Sequence, residues 1–101
     1  MGYWVAVKRV HEADAKHVYS YGREGAPDGH LTLDTGTNRI YFSDERGMPS
    51  AGAFVSVDGS VEERGELAVD AWSRFVEAAI GVMKGIKREG APPAVADRVF
   101  G

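Results

Sequence analysis

The sequence predicts an α+β fold: an antiparallel meander of four to five strands, with one long amphipathic C-terminal helix packed on one face. Three observations predict it. Ala68, Trp72, Phe75, Val76, Ala79, Val82, Met83 and Ile86 recur at helical spacing and form one apolar stripe. The chain before them breaks into short segments of alternating apolar and polar residues, separated by Gly, Pro, Asn and Asp. Strands therefore come first and one helix last, an order typical of a sheet with a helix laid across it.

Tyr3 to Val10 is rich in aromatic and β-branched residues and reads as the first strand. Lys16 to Arg23 alternates, with His17, Tyr19 and Tyr21 on one side and Val18 and Ser20 on the other. Gly22 to Gly29 is a loop by composition, ending in the turn residues Pro27-Asp28-Gly29. His30 to Asp34 and Arg39 to Ser43 flank Thr35-Gly36-Thr37-Asn38 and predict a β-hairpin. Asp44 to Ser50 is loop, and Ala53 to Val57 is a further strand stopped by Asp58-Gly59.

The helix has two candidate starts. Ser60 with Glu63 fits a capping box, whereas Gly65 favours a start near Glu66. Its solvent face is expected to carry Asp70, Ser73, Arg74, Glu77, Gly81, Lys84 and Arg88. Its end is marked by Lys87, Arg88, Gly90 and Pro92-Pro93. The tail from Ala94 carries Val95, Val99 and Phe100 and is expected to fold back. Residues 1–101 read as a single domain.

The 101 residues are 44% hydrophobic and 27% charged, within the range of ordinary globular domains. The net charge of -3 disfavours a general phosphate-tracking surface. The absence of cysteine removes disulfides, thiolate nucleophiles and cysteine-based zinc sites. No stretch approaches the ~20 apolar residues that span a bilayer. A cytoplasmic protein with no membrane partner and no cofactor is the expectation.

One string suggests catalysis. Leu33-Asp34-Thr35-Gly36-Thr37 resembles the Asp-Thr-Gly-Ser/Thr signature of aspartic proteases. The length is also similar to one subunit of a retroviral-type protease. The resemblance implies a homodimeric peptidase in which Asp34 is one of two facing carboxylates that share a proton. Thr35 and Gly36 would support its loop. The same residues are ordinary turn chemistry, and a turn is the favoured reading.

The histidines His11, His17 and His30 lack a recognised ligand spacing, so no metal site is expected. Gly81 and Gly85 form a G-x-x-x-G pair expected toward the solvent side of the helix. If Leu31, Leu33, Ile40 and Phe42 face the helix, then His30, Arg39 and Tyr41 face away. Tyr19 and Tyr21 share that outer face if their strand is in register with the hairpin, and clustered surface tyrosines mark contact surfaces or pair across strands to stabilise the sheet. Binding residues are therefore expected at Tyr19, Tyr21, His30, Arg39 and Tyr41. The expected function is a non-enzymatic protein-binding module of the immunity- or inhibitor-protein kind. Its partner would be another protein, or a second copy in a homodimer. The peptidase and a single-stranded nucleic-acid binder are the alternatives.

Overall fold

In the computed structural model, which describes residues 2–24 and 26–100, the chain forms one antiparallel sheet and one helix. The strands are β1 (Tyr3–Ala13), β2 (Lys16–Arg23), β3 (Gly29–Asp34), β4 (Arg39–Ser43), β5 (Pro49–Ser56) and β6 (Glu62–Glu63). The helix α1 (Val69–Glu89) and the strand β7 (Arg98–Phe100) follow. The spatial order is β6-β5-β4-β3-β2-β1-β7, so six strands meander and the seventh closes on the first. Among the described residues, no helix is long and apolar enough to cross a membrane.

The strand count exceeds the expected four to five. The two additions are the shortest strands, and neither shows alternation long enough to read. β6 is two glutamates paired with Phe54 and Val55. β7 is the returning tail, with Tyr3 opposite Phe100 and Val5 opposite Arg98.

The helix starts at Val69, after Ala68, whose side chain makes no cap. The expected capping box at Ser60 is not used. Its hydroxyl and backbone N–H both donate to the Asp58 carboxylate in the turn before β6. The stop is as expected: Gly90 takes φ +75 and its N–H donates to the Ile86 carbonyl.

Phe75 is fully buried at the centre of the helix stripe. Its ring meets Phe42 edge-on at 6.0 Å and Trp72 at 5.6 Å. Val5, Val7, Leu31, Leu33, Ile40 and Val55 complete this core from the sheet.

Gly81 and Gly85 do not face solvent. A Cβ on Gly81 would sit 2.5 Å from the Ala96 carbonyl oxygen, and one on Gly85 would sit 2.6 Å from the Pro93 ring. Their small size lets the chain after the helix cross close beneath it. That close approach carries the tail back to β1, where Arg9 N–H donates to Ala94 and Ala96 N–H donates to Val7.

Candidate binding surface

Tyr19 and Tyr21 are not on the outer face. Tyr19 pairs with Leu31 and Tyr21 with Gly29, and opposed residues of an antiparallel pair share a face. Leu31 faces the helix, so the tyrosines do too, at 0% and 4% exposure. The Tyr19 hydroxyl donates to the Pro93 carbonyl at 2.6 Å. Burial pushes the Tyr19 phenol up to about 12 and raises that of Tyr21 as well. Both side chains belong to the monomer's own interior.

His30, Arg39 and Tyr41 do lie on the face away from the helix. Register builds a row across that face: Val18 opposite Thr32, Thr32 opposite Tyr41, and Tyr41 opposite Phe54. Arg39 reaches diagonally so that its guanidinium lies 4.4 Å over the Phe54 ring. The Tyr41 and Phe54 rings are 6.1 Å apart. Thr37 Oγ1 lies 3.4 Å from the Tyr41 hydroxyl. Arg39 is exposed, while Tyr41 and Phe54 are half-buried. Phe54 and Thr37 are not legible in the sequence as members of this row, because their contribution depends on register, which alternation alone does not supply.

The row is capped at one end by the β4–β5 loop. Asp44 organises that loop by accepting N–H bonds from Arg46 at 2.8 Å and Met48 at 2.9 Å. Those bonds, that from Met48 foremost, hold its carboxyl below the usual range. The loop brings Gly47, at φ +89, down onto Val18 and Thr32. A Cβ there would lie 2.9 Å from Val18 Cγ2. Beneath it the hydroxyls of Thr32 and Ser43 are 2.9 Å apart. His30 lies beside this loop with Asp44, Glu45 and Arg46. The outer face is thus divided: covered near β2, open over β4 and β5.

A second exposed strip runs along the β1–β7 rim. Trp4 and Val99 are directly opposed and are 39% and 76% exposed. Val10 is also exposed, at the register shift between Arg9 and His11. An open cavity of about 490 Å³ lies here, lined by Tyr3, Trp4, Glu24, Asp97 and Val99 among others.

On the helix side of the same rim, Tyr3 stacks on Phe100 at 5.7 Å. The Tyr3 hydroxyl donates to Glu77, and Arg23 pairs with the same carboxylate at 3.3 Å. Glu77, expected in solvent, is therefore drawn into the edge of the core.

Asp34, Thr35 and Gly36 form the β3–β4 turn. The Asp34 carboxylate accepts from Gly36 N–H at 2.9 Å and Thr37 N–H at 3.3 Å. Thr35 donates through both its backbone N–H and its hydroxyl to Ala15. The turn is thereby tied to the neighbouring β1–β2 turn, and the carboxylate is engaged in holding its own loop.

Among the described residues, no group of three or more His, Asp or Glu side chains is placed to hold a metal ion. His11 and His30 lie on the outer face, separated by β2. His17 lies on the helix side and is buried to 9% exposure.

No family model, curated protein or solved structure matches this chain.

Proposed function

We propose that the chain is a non-enzymatic protein-binding module that docks its partner on the open half of the outer sheet face, over β4 and β5. The observation that supports this most is the stack of Arg39 on Phe54 beside Tyr41. A planar cation, two aromatic rings and a hydroxyl stand together on a rigid sheet, where they can lose water to a partner at low entropic cost. Arginine and tyrosine are also the residues that most often anchor such contacts. The tyrosines of β2 take no part.

The test places a photo-crosslinking amino acid at position 41, and separately at Ser73 on the exposed side of α1, in cells that make the protein. Position 41 should give one discrete adduct that position 73 does not. Arg39→Glu should abolish that adduct while leaving the unfolding midpoint unchanged. The mass of the adduct tells a second copy from a different protein. The same adducts from both positions, or none from position 41, would overturn the proposal.

A further inference from the structure

We propose that His17, Arg9 and the Pro92 carbonyl form a proton-sensitive latch that holds the chain after α1 against β1. The proposal goes beyond the binding surface and does not depend on it. It concerns the opposite face of the sheet, where the residues from Gly90 to Asp97 run back beneath the helix.

One nitrogen joins the parts. Arg9 Nη1 lies 3.4 Å from His17 Nδ1 and donates to the Pro92 carbonyl at 3.4 Å. In the neutral ring with its proton on Nε2, Nδ1 carries a lone pair that accepts from this guanidinium. Arg9 thereby bridges the second strand to the returning chain. Glu12 stands by as the alternative partner. Its Oε2 is 3.4 Å from His17 Nδ1, and its Oε1 is 3.8 Å from Arg9 Nη2.

A proton on Nδ1 reverses this arrangement. The lone pair is lost, and a second cation stands against the guanidinium. Glu12 then becomes the acceptor for Nδ1–H, which draws it from Arg9. Arg9 is left facing a positive ring and moves off both His17 and Pro92.

The groups around His17 decide which way this balance lies at neutral pH. From β1 it faces Arg9 and Glu12; from β3 it is opposed by Leu33, which is apolar. On β2 its same-face neighbour is Tyr19, whose hydroxyl is held by Pro93. At the helix end Glu89 is the acidic group that acts on Tyr19. Glu12 is more than half exposed, so water weakens its pull, while Arg9 is largely buried. Burial and Arg9 accordingly hold His17 below its ordinary value, against Glu12. The latch is closed at neutral pH and opens on acidification.

Backbone bonds beside the latch report it. Arg9 N–H donates to Ala94 at 2.9 Å and Ala96 N–H to Val7 at 2.8 Å. Amide hydrogen exchange of the whole chain, corrected for intrinsic rates, is compared at about pH 7.5 and about pH 5, either side of the ordinary histidine value. Protection at Arg9 and Ala96 should fall severalfold more than in the β3–β4 hairpin. His17→Gln, which keeps an acceptor but does not titrate, should remove the difference. Arg9→Gln, which keeps a donor without the charge, should remove it too and serves if the first variant does not fold. A loss of protection spread evenly over the sheet, or a local loss that persists in either variant, would overturn the latch.

Discussion

The hydroxyl of Tyr19 on the second strand is bonded to the backbone carbonyl of Pro93, just past the end of the helix. This contact spans 74 residues of sequence and fixes where the returning chain crosses the sheet. Removing the hydroxyl leaves a buried carbonyl without its donor. Tyr19→Phe should therefore cost about 1–2 kcal/mol, read from urea unfolding. An unchanged midpoint would mean that water reaches Pro93.

Gly81 tests the close crossing. Alanine is the better helix former by about 1 kcal/mol, so an exposed glycine would gain from the change. Here the new methyl meets the Ala96 carbonyl. Gly81→Ala should lower stability by about 1–2 kcal/mol despite the propensity gain. Ser73→Ala, on the exposed side, should instead be neutral or raise the melting temperature slightly.

Asp34 separates turn from catalysis. Asparagine offers the same acceptor oxygen to Gly36 and Thr37, so Asp34→Asn should change stability by less than about 0.5 kcal/mol. Asp34→Ala loses both bonds and should cost about 1 kcal/mol. If Asp34→Asn instead abolished an acid-dependent peptidase activity and left stability intact, the two-carboxylate mechanism would replace the binding role.

Stability should also depend on pH through His17. Its native value is depressed, first by burial and then by Arg9. The unfolded chain therefore takes up a proton near 6.5, before the folded one does. The native advantage is whole above that value and is lost as pH falls below it toward the depressed value. Urea midpoints taken between pH 7.5 and 5 should decline in the wild type more steeply than in His17→Gln. Parallel curves would show that His17 binds protons equally in both states.

Asp58, in the turn between β5 and β6, gives a second acid response. Hydrogen bonds from Ser60 and Ser56 bring its carboxyl down to about 2. The turn should thus stay intact as pH falls through the ordinary carboxylate range, and loosen only near pH 2. Chemical shifts of the Ser60 amide, followed from neutral pH downward, check this directly.

Much of the fold was legible in the sequence. β2 and β4 fall on the expected bounds, because alternation and turn residues agree there. The helix stripe and its glycine stop were equally plain. The β2 face was not legible. Its alternation is the same whichever way it points, and only pairing with Leu31 shows that tyrosines occupy core positions. A phenol there looks polar in sequence, yet its hydroxyl is answered by a carbonyl 74 residues away. The surroundings of Gly81 and Gly85 are not legible for a related reason. Position on the helix wheel does not tell solvent from a second segment of backbone passing beneath. Part of the candidate surface was legible, as His30, Arg39 and Tyr41; Phe54 and Thr37 needed the register across β4 and β5.

The pairing of Tyr3 with Phe100 brings the two ends of the described chain side by side on one rim. A short linker between them would leave each ladder and the helix crossing undisturbed. Circular permutants opened at the Asp58-Gly59 turn should therefore fold to the same sheet. Cargo fused to either end would depart from a single corner, remote from β4 and β5.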